Sequence, residues 1–298
     1  MSKPITVAVA GATGTQGGAV ARLLLDRGHL VRALTRRPGS QAAKALAAVG
    51  AELFEADLDD AAALRRALEG ADAFFLAVTP FESGVAAEVR QGRQAAKVCK
   101  EAGVRHLVYS SVAAADQHTG VPHFDSKQEI ESYLERLALP YTVVAPVFFM
   151  ENLLGPLFRQ GLRAGKLWMP LPTDRQLQMI AAADIAGLVR LALERPSEFE
   201  GRRVEIASDS LTPPQMARVL AVVTGSAIEH ARPAMEAVRR QSEDLALMWE
   251  WLDREGFDCD LGALHRAYPE VGWRDFGRWA REQDWSLIGA GRPEQPPA

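Results

Sequence analysis

The sequence predicts an α/β fold in which a doubly wound parallel sheet is joined by a smaller, mostly helical C-terminal lobe. Three observations predict it. Apolar runs of strand length alternate with helical patterns through the first half of the chain. The first run breaks into glycines 11, 14 and 17 before a helical pattern begins. Beyond residue 153 the alternation stops, and most of the tryptophans lie in the C-terminal third. Strand–helix alternation implies βαβ units, and these give a parallel sheet with helices on both faces.

In chain order, strands are expected at 5–10, 30–34, 51–55, 72–79, 104–110 and 141–149, and helices at 17–27, 40–49, 60–69, 84–102 and 125–138. Residues 151–164 then read as an amphipathic helix, and the apolar, proline-stopped run 166–172 reads as a loop suited to covering a cleft. Asp184 is expected to cap a helix with apolar positions at Ile185, Leu188, Val189, Leu191 and Ala192. A late strand is expected at 204–207, and both elements are expected to return to the first domain. Thr212-Pro213-Pro214-Gln215 is a capping box with proline at the first helical position. The expected organisation is a first domain over 1–153, rejoined by about 178–208, a lobe over 154–288, and a Gly- and Pro-rich disordered tail at 289–298.

Composition narrows the function classes. The 298 residues are 48% apolar, enough for a large packed core. Lys and Arg number 34 against 38 Asp and Glu, a formal net charge of -4, and the arginine doublets at 36–37, 65–66, 202–203 and 239–240 are scattered. Such a distribution has no basic stripe to gather a polyanion, so direct nucleic-acid binding is not expected. Cys99 and Cys259 stand alone, which predicts neither a disulfide framework nor a metal site and suits a reducing, cytoplasmic compartment. With no apolar run of spanning length and a chain that enters a strand directly, no membrane role is expected.

In open parallel sheets ligands bind beyond the C-terminal ends of the strands, so those turns carry the functional reading. The first holds Gly11, Thr13, Gly14, Thr15, Gln16 and Gly17. Its glycines suit a sharp exit from the strand, backbone approach to a pyrophosphate and close helix packing, the features of a Rossmann dinucleotide site. The second holds Thr35-Arg36-Arg37-Pro38, where an NAD-selective site usually has a carboxylate. A guanidinium there offers forked donors to a 2′-phosphate, so NADP(H) is favoured over NAD(H). Asp57 and Leu58 end the third strand and are candidates for the adenine end, while one of Asp57, Asp59 and Asp60 is expected to cap the next helix. Thr79, Pro80 and Phe81 end the fourth strand and are candidates for the middle of the cofactor or the substrate cleft. Ser110 and Ser111 end the fifth, followed by His123-Phe124-Asp125-Ser126-Lys127.

A serine-ended strand followed by a residue four before a lysine is the layout of the short-chain dehydrogenases, in which that residue is a catalytic tyrosine. Here it is His123. Together with Gly11-Ala12-Thr13-Gly14-Thr15-Gln16-Gly17-Gly18, Thr35-Arg36-Arg37-Pro38, Glu88-Val89-Arg90-Gln91-Gly92, Val108-Tyr109-Ser110 and Phe149-Met150-Glu151-Asn152-Leu153-Leu154, the chain resembles the NmrA-like family, an atypical branch of those dehydrogenases, and is most similar to the HSCARG-type NADPH sensors. The resemblance implies NADP(H) bound by the glycine turn, Arg36, Thr79, Pro80, Phe81, Lys127 and Phe149, Met150, Glu151 and Asn152, with a small lobe closing over the nicotinamide. It also implies that Lys127 orients the nicotinamide ribose and that His123 takes the place of the proton donor.

The family is divided between reductases of quinones, dyes or aromatic compounds and cofactor sensors that bind partner proteins. Loss of the tyrosine favours a sensor of the NADPH/NADP⁺ ratio, with a protein partner or a second copy of the chain as its target. The alternative is an NADPH-dependent reductase of a small planar aromatic or quinone-like ligand, stacked on Phe81, Phe149 or Trp168, with Trp249 and Phe257 as further pocket candidates. An imidazole delivers a proton only from its charged form, whose unperturbed pKa is about 6.5. A sugar-nucleotide epimerase of the extended dehydrogenase type would need the missing tyrosine as well.

Overall fold

Residues 3–288 are described in the computed structural model of the chain, and the expected tail at 289–298 lies outside them. In chain order the first stretch runs β1 (Thr6–Val9), α1 (Thr15–Asp26), β2 (Leu30–Thr35), α2 (Gln41–Ala48), β3 (Glu52–Glu55), α3 (Ala61–Leu68), β4 (Ala73–Ala77), α4 (Val85–Glu101), β5 (His106–Ser110), α5 (Pro122–Arg136) and β6 (Tyr141–Pro146). Next come β7 (Phe148–Phe149), α6 (Pro156–Arg163), β8 (Lys166–Trp168) and β9 (Leu177–Ile180). They are followed by α7 (Ala182–Glu194), α8 (Pro196–Phe199) and β10 (Arg203–Ile206). The remainder is β11 (Asp209–Leu211), α9 (Pro213–Thr224), β12 (Glu229–Ala231), α10 (Met235–Gln241), α11 (Glu243–Arg254), α12 (Leu261–Ala267) and α13 (Phe276–Arg281).

These elements form two compact units. The first takes the chain up to Pro146, then Ala182–Ile206 and Glu270–Gly272; the second takes Val147–Ala181, Ala207–Pro269 and the chain from Trp273 on. The first unit is an α/β Rossmann-type fold, with a seven-stranded sheet in the order β10-β6-β5-β4-β1-β2-β3. Every pairing in it is parallel. Winding starts at β1, proceeds through β2 and β3 on one side and through β4, β5 and β6 on the other, and so places the switch point at the end of β1.

The central strands are covered on both faces, which is why a run such as Ala73–Ala77 is apolar throughout, whereas the edge strands β3 and β10 carry Glu52, Glu55, Arg203 and Glu205. Ala8, Phe74, Leu76, Leu107, Tyr109 and Val143 share a core with Leu64 and Leu68 of α3, Ala95 and Cys99 of α4, and Ile130 and Leu134 of α5. Strand alternation sends Val7, Val9, Phe75 and Val108, also buried, to the opposite face. Gly92 allows α4 to approach α5, since a Cβ there would stand 2.5 Å from Ile130 Cδ1. Asp60 caps α3 by accepting from the amides of Ala62 and Ala63 at 2.9 and 3.0 Å, while Asp57 accepts from Asp59 N at 2.9 Å within the preceding turn.

The second unit holds the sheet β11-β9-β7 and the pair β12-β8. Three of its tryptophans, Trp249, Trp251 and Trp279, are core residues. Trp249 lies 5.6 Å from the Phe148 ring, Trp251 packs on Phe257, and Trp279 stacks on Phe276 at 5.4 Å. Thr212 and Gln215 form the expected capping box at the start of α9.

Several local expectations are corrected. The apolar run 141–149 is two strands: β6 ends at Pro146, and β7 pairs with β9 in the other sheet. The expected helix over 151–164 is a 3-10 turn at Met150–Leu154 followed by α6, because Pro156 has no amide to extend the turn and holds Gly155 in an extended conformation. The expected covering loop at 166–172 is tied down instead. Lys166–Trp168 pairs in parallel with Glu229–Ala231, and Leu167, Met169 and Leu171 are fully buried. Asp184 does not cap α7; the helix begins at Ala182, and Asp184 is a buried member of its first turn. Helix α5 begins at Pro122, so His123 is helical.

Candidate functional site

At the end of β1 the chain turns through Gly11, which has φ +65°, and Gly14 N donates back to Gly11 O at 2.9 Å. Helix α1 follows with Gly14 as its N-cap and no side chain capping it. The first-turn amides therefore present an uncapped, electropositive helix end, which suits a phosphate. Gly17 is obligatory, since an added Cβ would lie 2.3 Å from Gly11 O and 2.9 Å from Ala10 O. Thr13, Gly14 and Thr15 are exposed. Gln16 reaches sideways and donates to Ser110 Oγ at 2.6 Å, crossing the end of β4 to the end of β5.

Arg36 follows β2 directly, in a turn shaped by Arg37 N donating to Thr35 Oγ1 at 3.1 Å. Its guanidinium pairs with Glu82 Oε2 at 2.6 Å. Glu82 lies in the loop after β4, together with Thr79, Pro80 and Phe81; Gly84 N donates to Pro80 O at 2.7 Å and closes that loop. Phe81 is 68% exposed and its ring centroid lies 5.6 Å from that of His123. Leu58 O accepts from Gln94 Nε2 at 2.7 Å, which fixes the end of β3 against α4.

Lys127 is buried. Its Nζ donates to Val78 O, just past β4, at 2.7 Å, and forms an ion pair with Glu88 Oε1 at 2.7 Å. Glu88 is fully buried, and its second oxygen accepts from Ser126 Oγ. An ammonium has three N–H groups, so these two partners leave one. His123 is buried in the first turn of α5, edge-on to Phe124 at 4.8 Å. Tyr109 is wholly buried 5.9 Å from Lys127 Nζ, and burial, reinforced by Glu88 and Glu131, pushes its phenol well above the usual tyrosine range. Tyr109 therefore does not stand in for the tyrosine absent at 123.

Ser111 is also engaged: its hydroxyl donates to Glu131, which accepts from Arg203 Nε at 2.9 Å. Burial raises the Glu131 carboxyl above its ordinary range against the opposing pull of Arg203. The same guanidinium donates to Val112 O at 2.9 Å and fixes the chain leaving β5.

The residues at 11–17, Arg36, Asp57, Leu58, Thr79, Pro80, Phe81, His123 and Lys127 all belong to the first unit, at or after its strand ends. Phe149, Met150, Glu151 and Asn152 belong to the second. There Met150 is fully buried and Glu151 Oε1 accepts from the Trp279 indole at 3.0 Å. Sequence reasoning missed Glu88 as a site residue, although it occupies the small-residue stripe of α4 with Gly92, Ala95, Ala96 and Cys99. A carboxylate on such a stripe is the signal that could have found it. Among the described residues no group of three or more His, Cys, Asp or Glu could hold a metal ion, and no helix is long and apolar enough to cross a membrane.

The profile of the NmrA-like family matches residues 3–276. The chain belongs to the NmrA-like family. An NmrA-like family domain-containing oxidoreductase of Penicillium ochrochloron, ptmS, is 31% identical over 94% of this chain and 88% of its own length. NmrA, a negative transcriptional regulator solved in complex with NADP, superimposes with a TM-score of 0.77 at 23% identity, over 94% of this chain and 95% of that one. An NADPH-dependent quinone oxidoreductase from Escherichia coli, solved with NADPH, superimposes with a TM-score of 0.75 at 24% identity, over 93% and 98% of the two chains. In this chain Arg36 pairs with Glu82, and Lys127 is held by Glu88 and Val78 O, with Ser126 in turn holding Glu88.

Proposed function

We propose that this NmrA-like chain binds NADP(H) along the C-terminal ends of β1, β2 and β4 and reduces an electron-poor planar acceptor of the quinone class. The residues fit that cofactor. The uncapped end of α1 and the Gly17 cradle suit the diphosphate, Arg36 suits the 2′-phosphate, and the remaining N–H of Lys127 suits a ribose hydroxyl. Asp57 and Leu58 flank the adenine end, while Thr79, Pro80 and Phe81 line the middle.

The observation that carries the reductase reading is the Phe81 ring, 68% exposed with its centroid 5.6 Å from that of His123, a surface for a planar acceptor. Since position 123 is histidine and Tyr109 is sealed in the core, that acceptor must be one that needs no phenol to protonate it. When bound, NADPH supplies a hydride. An acceptor of the quinone class would need no prior protonation at this site, and the one proton still required after a hydride is added would come from water or from His123. Lys127 orients, Phe81 offers an exposed ring for stacking, and Glu88 holds the lysine in place.

A second reading, a sensor of the NADPH/NADP⁺ ratio acting on a protein partner or a second copy of the chain, is favoured by the two serines. Ser111 gives its one O–H to Glu131 and Ser110 Oγ accepts from Gln16 at 2.6 Å, so only the Ser110 proton is left to meet a substrate oxygen. Titration of NADPH and NADP⁺ followed by NADPH absorbance with a panel of quinones and azo dyes separates the two. NADPH oxidation by the wild type supports the reductase, whereas tight binding with no oxidation supports the sensor. Absence of binding overturns both.

A further inference from the structure

Strand β1 lies between β4 and β2 in the sheet. With strands about 4.8 Å apart, the ends of β4 and β2 are separated by about 10 Å. The Glu82–Arg36 ion pair joins the segments that follow those two strands, at 2.6 Å, and so spans the outlet of β1 where the glycine turn begins. Both side chains are about half exposed, at 51% and 55%. Exposed pairs of this kind contribute little and exchange partners readily. Glu82 is also carried on a short surface loop, fixed by Gly84 N to Pro80 O and Phe81 N to Thr79 Oγ1.

We propose that Glu82 is a specificity-determining residue: its carboxylate occupies Arg36 until a 2′-phosphate takes its place, whereas a 2′-hydroxyl leaves the pair closed. The inference rests on the reading that a nicotinamide dinucleotide binds along the glycine turn. A phosphate monoester near neutral pH carries about −1.5 to −2 charges and can accept both arms of a guanidinium, so it outcompetes a single exposed carboxylate. A ribose hydroxyl is neutral and does not. Glu82 therefore weakens NADP(H) binding without acting on NAD(H), and the chain's preference is narrower than Arg36 alone would set.

Calorimetric titration of NADP⁺, NADPH, NAD⁺ and NADH into the wild type, Glu82→Gln and Arg36→Ala tests this. The wild type is expected to prefer NADP(H). Glu82→Gln is expected to tighten NADP(H) by about two- to five-fold, the range for an exposed pair, with NAD(H) unchanged and with the gain shrinking at high salt. Arg36→Ala is expected to remove the preference. The inference is overturned if Glu82→Gln tightens all four cofactors equally, weakens NADP(H), or changes nothing. Failure of the wild type to bind any of the four overturns the cofactor reading itself, a distinct outcome visible before any variant is compared.

Discussion

Removing Lys127 or Glu88 singly should destabilise the first unit far more than removing both. The two charges are 2.7 Å apart, and the Glu88 carboxylate has no exposure to solvent. At an effective dielectric of about 20, their attraction is about 6 kcal/mol, opposed by several kcal/mol of desolvation for each ion. The intact pair is thus close to neutral for stability, while Lys127→Met strands a buried carboxylate whose named partner is the Ser126 hydroxyl. Such a stranding costs about 3–5 kcal/mol, and Glu88→Gln, which strands the ammonium, should cost a similar amount. The double variant Lys127→Met/Glu88→Gln should recover most of that loss. All six tryptophans belong to the second unit, so none of them reports on this ion pair directly. Hydrogen exchange of the β4 and β5 amides, with urea unfolding followed by circular dichroism, reports it. Losses that simply add in the double variant would refute the argument. NADPH affinity should stay low in the double variant even though stability returns, because the proposed ribose contact of Lys127 would be lost with the ammonium.

Two further predictions follow from the first unit. Gly17→Ala should displace the turn, since its Cβ would sit 2.3 Å from Gly11 O; cofactor affinity should fall at least tenfold by calorimetry while β5 and β6 keep their exchange protection, and retained affinity would contradict the role of the turn. His106 supplies an acid dependence. Thr142 Oγ1 donates to Phe199 O at 2.9 Å, so it accepts from His106 Nε2 at 2.9 Å, leaving Nδ1 buried without a partner. Burial pulls this imidazole down to about 4. An unfolded histidine titrates near about 6.5, so the unfolded chain binds the extra proton first, and stability is lost as pH falls through that window, by about 3 kcal/mol in total. His106→Leu should have a lower plateau at neutral pH and a flatter acid limb in urea melts; an unchanged acid limb would count against it.

The centre of the sheet was legible because both its faces are covered there. Burial on two sides makes a parallel strand apolar at every position, and runs such as Ala73–Ala77 need no partner in view to be recognised. The glycine turn was legible for a local reason too, as the demand at Gly17 comes from atoms six and seven residues away. What escaped depends on distant partners. Nothing near Val147 signals that the chain changes sheets, for Phe148 and Phe149 are as apolar as the strand before them. Lys166–Trp168 is three residues long, too short to show a period, and its partner at Glu229–Ala231 comes after α9. Glu88 becomes intelligible only with Lys127, which α5 brings beside it. The Arg36 turn was readable as a phosphate site, but its occupant in this structure, Glu82, is set by the loop after β4.

The interleaving of the two units has a consequence for how the chain is made. Strand β6 is complete at Pro146, yet its outer neighbour β10 begins only at Arg203, after β7, β8 and β9 have been laid into other sheets. On the ribosome, six of the seven strands are therefore synthesised with the β6 edge bare, and helix α7, which packs on α1, also lies ahead. A bare edge of Tyr141–Pro146 is a template for pairing with another nascent chain. The first unit cannot be released early as a finished domain: its closure waits for a segment that emerges only after the first stretch of its neighbour, so translation speed between residues 147 and 206 governs how long that edge is at risk.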